Sequence, residues 1–170
     1  MEEFRKKILP LRDKLFRLAL RITRRPEDAE DAVQEVMLRM WDRRKEWGRI
    51  ENQEAYCCRM VRNISLGKIS MKDHGNESLE DHGELRTEGD RPDERTERDD
   101  CLKLLHELIG RLSEKQRTVV QLRDIEGMSY REIADCLAIS EEQVKITLFR
   151  ARKEIRELFL KIDGYGLQKH

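Results

Sequence analysis

The stretch that most strongly indicates the fold is Ser129-Tyr-Arg-Glu-Ile-Ala-Asp-Cys-Leu-Ala-Ile-Ser-Glu-Glu-Gln-Val-Lys-Ile-Thr-Leu-Phe-Arg-Ala-Arg-Lys153. Ser129 with Glu132, and Ser140 with Gln143, have the spacing of capping boxes, and each box marks the start of a helix. The stretch therefore predicts a helix-turn-helix, with a short helix over 130–138 and a long one from 141 to about 161. The apolar positions that would pack the two helices together are Ile133, Ala134, Leu137, Ile139, Val144 and Leu148.

The second helix of such a motif usually lies in the major groove of DNA, where each base pair presents a distinct edge. The amide end of the first helix can meet a phosphate, which makes Ser129, Tyr130 and Arg131 candidate contacts. A plain helical hairpin with a solvated, charged face remains the alternative, because several glutamates share the second helix. The candidate contacts on the second helix are Lys145, Thr147, Phe149, Arg150, Arg152 and Lys153.

Upstream of this motif, a third capping box at Ser113 and Gln116 predicts a further helix. That helix would run from about 114 to 125, and Gly127 would end it. Together these helices predict a helical unit over 101–162, followed by a tail at 163–170.

Residues 73–100 hold twelve acidic and four basic side chains, a net charge of −8 in a chain that is neutral overall. Leu79 and Leu85 are the large apolar residues of this stretch, which cannot bury enough surface to offset the entropy of ordering. We therefore predict a flexible acidic linker. The rest of the chain is mildly basic.

The first unit, 1–72, has the periodicity of three or more helices. Leu15, Leu18, Ala19 and Ile22 share one helical face. Pro26 suits the first position of a second helix, whose apolar residues extend to Trp41, and a further helix begins near Asn52. The sequence thus predicts an all-α protein of two small helical domains.

Composition excludes several classes of protein. No apolar run approaches the roughly 18 residues that a membrane span needs, and the charged start lacks the centre of a secretion signal, so we expect a soluble cytoplasmic protein. The sequence contains no glycine-rich phosphate loop, no metal-ligand spacing and no nucleophile–base set, so we predict no enzyme activity, metal or cofactor. The four cysteines are expected to be reduced thiols.

The second unit closely resembles region four of bacterial sigma factors of the sigma-70 family. The resemblance runs over Leu112-Ser-Glu-Lys-Gln-Arg-Thr-Val-Val-Gln-Leu-Arg-Asp-Ile-Glu-Gly-Met-Ser-Tyr-Arg-Glu-Ile-Ala-Asp-Cys-Leu-Ala-Ile-Ser-Glu-Glu-Gln-Val-Lys145 and continues in Phe149-Arg-Ala-Arg-Lys153. It implies that this unit reads the minus-thirty-five promoter element. It also implies docking on a flap of the polymerase β subunit.

The first unit independently resembles region two of the same family. Pro26-Glu-Asp-Ala-Glu-Asp-Ala-Val-Gln-Glu-Val-Met-Leu-Arg-Met-Trp41 resembles the core-binding helix. That likeness implies that Asp31, Gln34 and Glu35 face the coiled-coil clamp of the polymerase β′ subunit. Ala55-Tyr-Cys-Cys-Arg-Met-Val-Arg-Asn-Ile-Ser-Leu66 resembles the segment that recognises and melts the minus-ten element. The minus-ten contacts that this likeness implies are Tyr56, Arg59, Arg62, Asn63 and Lys68.

The two likenesses in this order, without room for regions one and three, are typical of the extracytoplasmic-function group. They imply a non-enzymatic subunit that binds core RNA polymerase, directs it to promoters and promotes melting. An inhibitory anti-sigma partner is typical of the group. Pattern alone also allows a stand-alone helix-turn-helix regulator that dimerises through the acidic helix at 27–46. For the linker, a solvated spacer and a mimic of nucleic acid in the polymerase RNA path both remain open.

Overall fold

The computed structural model describes residues 1–75 and 97–167, with side chains described up to 164. Every regular element in these ranges is helical, which confirms the predicted all-α class. The α-helices are α1 (Arg12–Thr23), α2 (Pro26–Asp42), α3 (Gln53–Gly75), α4 (Glu97–Gly110), α5 (Glu114–Val120), α6 (Tyr130–Leu137) and α7 (Glu141–Leu167). Short π or 3-10 turns occupy Phe4–Ile8, Leu9–Leu11, Arg44–Arg49 and Gln121–Ile125.

Helices α1, α2 and α3 pack together as the first unit. The predicted apolar face of α1 is buried in it, since Leu15, Leu18 and Ala19 are all fully buried. Pro26 occupies the first turn of α2, and Asn52 caps α3 by accepting a hydrogen bond from the Ala55 amide at 2.9 Å. The predicted starts of both helices are therefore confirmed.

Helices α4 to α7 form the second unit, which contains the predicted helix-turn-helix. All three capping boxes form, with the serine hydroxyls of Ser113, Ser129 and Ser140 each accepting the amide hydrogen bond of the third helical residue. Ala138 ends α6 in the left-handed conformation at φ 55°, which turns the chain sharply into α7. The crossing of α6 and α7 therefore follows from local signals at both ends of the turn.

The helices extend further than the sequence predicted. Helix α3 continues to Gly75 and α4 begins at Glu97, so both ends of the expected linker at 73–100 are helical. Acidic residues in the first turn of α4 favour that start, because the helix dipole is positive there. Helix α7 likewise continues to Leu167 rather than ending near 161. Most of the predicted linker, 76–96, lies outside the described residues.

The two units pack against each other, which the sequence did not predict. Helix α3 of the first unit lies along α6 of the second, and α1 lies against α5. We call this the closed arrangement. Among the described residues, no helix is both long and apolar enough to cross a membrane.

Candidate nucleic-acid interfaces

Helix α7 buries one side and presents the other to water. Val144, Leu148 and Ala151 are at most 2% exposed and pack into the second unit. On the opposite side, Phe149 is 71% exposed although its ring is large and apolar. An exposed aromatic ring among cations is an arrangement that suits contact with nucleic acid, because it can pack against a thymine methyl or a base.

Tyr130, at the start of α6, contacts cations beside the Phe149 ring. Its own ring lies 4.5 Å from the Arg123 guanidinium and 5.5 Å from the Lys145 ammonium. The sequence pattern did not indicate Arg123, which returns over Tyr130 because the chain turns between them and Arg123 donates to the Met128 carbonyl at 2.8 Å. The nearby Gly127, which adopts φ 71°, is the sequence signal that could have indicated this return.

The remaining candidate DNA contacts of the second unit are either exposed or engaged with other groups of the protein. Arg131, Lys145 and Lys153 are exposed, whereas the Ser129 hydroxyl is engaged in capping α6. Arg152 donates to Asp124 at 2.5 and 3.2 Å. Thr147 turns back to donate its hydroxyl to the Gln143 carbonyl at 2.7 Å.

Arg150 faces away from Arg152. Two residues along a helix turn the side chain by about 200°, and Arg150 lines a groove with Gln116 on α5. Arg150 and Thr147 therefore do not share the strip formed by Lys145, Phe149 and Arg152.

A second strip of candidates lies on α3. Tyr56, Arg59 and Asn63 follow at helical spacing and share a face, on which Arg59 and Asn63 are exposed. The Tyr56 hydroxyl accepts a hydrogen bond from Arg43 at 2.7 Å. Lys68 does not join this strip, since it lies on the side of α3 that faces α2, where its ammonium is 4.0 Å from Asp31.

The candidate polymerase face is the outer side of α2. Asp31 and Gln34 are exposed there, and Glu35 pairs with Arg39 one turn further on. Leu38 lies on the same side and is 66% exposed. This side of α2 therefore presents acidic and amide groups around one exposed leucine.

In the closed arrangement, two arginines of α3 are bound to the second unit: Arg59 of the strip, and the predicted minus-ten contact Arg62, which lies beside the strip. Arg62 donates two hydrogen bonds to the carboxylate of Glu114, at 3.1 and 3.0 Å. Arg59 donates to the backbone carbonyl of Asp135 on α6. These cations are thus held by acceptors of the protein itself.

A second set of arginines, on α1, completes the contact. Arg17 donates to Glu126 at 2.7 and 2.8 Å. Burial alone would raise the pKa of Glu126, but its hydrogen bonds with Arg17 outweigh that effect and hold the pKa below its ordinary value. Arg17 and Glu126 therefore form a stable ion pair across the contact near neutral pH.

Arg21 is buried in the same contact without a carboxylate partner. Its guanidinium donates to Gln121 at 3.0 Å and to the His106 ring at 2.9 Å. Burial, and then repulsion by Arg117 and Arg24, lowers the pKa of Arg21 to about 10. The contact therefore contains a costly buried charge.

Both units of the chain match known protein families. Residues 8–72 match the family model described as Sigma-70 region 2, and residues 102–155 match the one described as Sigma-70, region 4. The RNA polymerase sigma-E factor of Streptomyces coelicolor is 32% identical over 158 residues, which cover 91% of this chain and 85% of that protein. The chain belongs to the sigma-70 family.

Further relatives place this sigma factor in the extracytoplasmic-function (ECF) group. The ECF RNA polymerase sigma factor SigL of Mycobacterium tuberculosis is 31% identical, with 91% of this chain and 86% of that protein covered. SigW of Bacillus subtilis is 24% identical, with 86% and 83% covered. The family assignment excludes the stand-alone regulator that pattern alone allowed.

Two solved structures, one of them that of a sigma factor, share the fold. RpoE of Bartonella quintana, solved in complex with the anti-sigma factor NepR, has a TM-score of 0.72 at 22% identity, covering 96% of this chain and 99% of that one. CnrH, solved with the cytosolic domain of CnrY, has a TM-score of 0.66 at 20% identity, with 92% and 86% covered. Both likenesses extend over the two units of the sigma factor.

The closed arrangement should loosen in mild acid because of His106. The pKa of His106 lies below its ordinary value of 6.5, since burial and then the Arg21 charge disfavour protonation. Opening would restore the ordinary pKa, so opening takes up a proton and is favoured as the pH falls through about 6.5. Small-angle X-ray scattering should show a larger radius of gyration at pH 5.5 than at pH 7.5.

The matched control is His106→Gln, whose amide oxygen can accept the Arg21 hydrogen bond but does not titrate. This variant should keep the same radius at both pH values. An equal expansion of the two proteins would show that another group controls the response.

Proposed function

We propose that this sigma factor binds core RNA polymerase, directs it to promoters and promotes strand opening, without catalysing a reaction itself. The observation that carries the proposal is the placement of two candidate DNA strips on two different units. One strip suits duplex DNA and the other suits unpaired bases. The proposal places the chain in the cytoplasm, where it would meet the polymerase and promoter DNA.

For the upstream element, the proposed reader is the strip along α7. Phe149 supplies an apolar contact to a thymine methyl, and Lys145 lies near the helix start, where base contacts concentrate. Arg131 and Lys153 would neutralise phosphates on either side. Arg152 would have to exchange Asp124 for DNA, which favours a phosphate role over base reading.

For the minus-ten element, the proposed reader is the strip along α3. Holding an unpaired base requires a ring or amide to meet it and cations to follow the backbone. Tyr56, Arg59 and Asn63 supply these groups on one face. Lys68 is better interpreted as a partner of α2.

Reading of the minus-ten element requires the units to separate around Arg59 and Arg62. Both arginines are bound to the second unit in the closed arrangement, and DNA phosphates would have to replace those acceptors. We propose that core polymerase favours the separated arrangement. An anti-sigma partner, such as the NepR that accompanies RpoE of Bartonella quintana, would favour a closed one.

The upstream reader predicts a specific role for Phe149. Phe149→Ala should weaken binding of holoenzyme to a promoter with its upstream element by roughly 1 kcal/mol, through loss of contact with a thymine methyl. Substituting deoxyuridine for thymine removes that methyl. It should weaken the parent protein similarly and leave the variant unaffected, as measured by gel-shift titration.

Phe159→Ala is the matched control, because Phe159 is also exposed on α7 but lies near its far end. It should retain both the affinity and the sensitivity to deoxyuridine. If Phe149→Ala keeps full sensitivity to the missing methyl, then Phe149 is not the group that reads it.

The melting strip predicts a defect for Asn63→Leu. The exposed amide can both donate to and accept from the edge of an unpaired base, and leucine of similar size leaves that edge unpaired at a cost of about 1–3 kcal/mol. The holoenzyme should assemble and bind, yet form fewer open complexes, as reported by permanganate reactivity of thymines. A template already mismatched across the minus-ten region should reduce the defect. Equal opening of duplex promoters by both proteins would assign Asn63 a structural role.

If the outer side of α2 binds polymerase, reversing its charge should abolish assembly with core polymerase. Asp31→Lys with Glu35→Lys places cations where the family resemblance implies contact with the β′ clamp, and should abolish co-purification with core polymerase while leaving helicity unchanged by circular dichroism. Glu2→Lys with Glu3→Lys makes the same change of charge at two exposed positions outside α2 and should assemble normally. Undiminished assembly of the α2 variant would contradict the assignment.

A further inference from the structure

A cysteine from each unit lies in the contact between α3 and α6. Cys58 on α3 is fully buried and Cys136 on α6 is 1% exposed, although each sits at the boundary of its own unit. The Cys136 thiol is near enough to raise the pKa of Cys58. The neighbouring residues also support this alignment of α3 with α6. Arg59, next to Cys58, donates a hydrogen bond to the carbonyl of Asp135, next to Cys136.

We propose that Cys58 and Cys136 are a peroxide-sensitive pair that forms a reversible disulfide between the two units. A disulfide needs Cβ atoms roughly 3.5–4.5 Å apart, a placement that two cysteines buried in the same α3–α6 contact can reach. In reducing compartments such bonds are usually transient and redox-sensing rather than structural. The pair joins residues 78 positions apart, so the bond would link the units directly.

The oxidation proceeds in two balanced steps. A thiolate attacks one oxygen of hydrogen peroxide, the O–O bond breaks, and a sulfenic acid and hydroxide form. The second thiol then attacks the sulfenic sulfur, the S–S bond forms, the S–O bond breaks, and water leaves. Overall, two thiols lose two electrons and two protons, and one peroxide is reduced to two waters.

The two steps of the oxidation take place in different arrangements of the units. The pKa of Cys58 is raised, first by the neighbouring Cys136 thiol and then by burial, so the closed arrangement holds an unreactive thiol. Attack on peroxide therefore begins when the units part and solvent reaches α3. Closure then brings the second thiol to the sulfenic acid, which makes this pairing faster than reaction with another chain.

The disulfide would keep Arg59 and Arg62 bound to the second unit. Both arginines are within one helical turn of Cys58, and a covalent link there prevents α6 from leaving α3. The oxidised chain would then be unable to present the minus-ten strip to DNA. This consequence rests on the proposed function, whereas formation of the disulfide does not.

The other two cysteines provide contrasts within the same chain. Cys57 is equally buried, but burial first and Glu54 second raise its pKa to about 12, and its side chain points about 100° away from that of Cys58. Cys101 is exposed on α4. Neither is placed to bridge α3 and α6.

The pair is tested by mapping disulfides in the reduced full chain after treatment with hydrogen peroxide. Trypsin leaves Cys57 and Cys58 in peptide 50–59 and Cys136 in peptide 132–145. Mass spectrometry should find these two peptides linked within a monomer, and dithiothreitol should release them. The link should persist in Cys57→Ser and Cys101→Ser and be lost in Cys58→Ser and Cys136→Ser.

The parent protein tests the link between α3 and α6 even if a serine variant folds poorly, and fragmentation of the linked peptides between Cys57 and Cys58 identifies the bonded cysteine. Linkage of peptide 50–59 to any other peptide would overturn the proposal. So would an unlinked peptide 132–145 at a peroxide concentration that already oxidises Cys101.

The functional consequence is tested by transcription with core polymerase. The oxidised chain should lose promoter-directed transcription almost completely and regain it with dithiothreitol, while Cys58→Ser should stay active after the same treatment. A mapped disulfide with undiminished transcription would overturn the locking role. A reduced chain that supports no transcription would count against the proposed function alone, and the peptide map would still decide the disulfide.

Discussion

Helix α3 is covered on two sides, and this constraint determines much of the rest of the molecule. One side closes the core of the first unit against α1 and α2, and another lies along α6. Adjacent residues on a helix point about 100° apart, yet Cys57 and Cys58 are both fully buried. The face left to solvent is consequently narrow and carries Arg59 and Asn63. Any access to that face from the side of α6 requires the second unit to move.

The contact between the units depends heavily on arginines, which makes it suited to opening. Arg17 and Arg62 have carboxylate partners, whereas the guanidinium of Arg21 is buried against neutral groups and repelled by Arg117. Buried ionic groups contribute little net stability compared with apolar packing, because desolvation opposes their attraction. The same charges can be solvated when the units part. The closed arrangement can therefore be stable at neutral pH without being permanent.

The helix-turn-helix differs from the contact between the units, because local sequence signals are sufficient to form it. Capping boxes at Ser129 and Ser140 satisfy the orphan amides of α6 and α7, and the left-handed Ala138 makes the turn between them. Because no distant part of the chain is needed to form it, the motif can keep its shape in open and closed arrangements. Phe149 remains exposed on it even when the units are packed together.

The sequence by itself determined the starts of α2, α3, α5, α6 and α7, the capping boxes, the two-unit order and the family resemblance, because helical periodicity and caps depend on residues three to seven positions apart. Tertiary structure alone decided which neighbour covers each helical face. It turned Lys68 toward α2 and joined Arg62 to Glu114, a residue 52 positions away. It also buried Cys58 and Cys136 in the same contact between α3 and α6. Periodicity identifies the apolar and polar faces of α3, but the partner of each face is set by packing between segments that are distant in the chain.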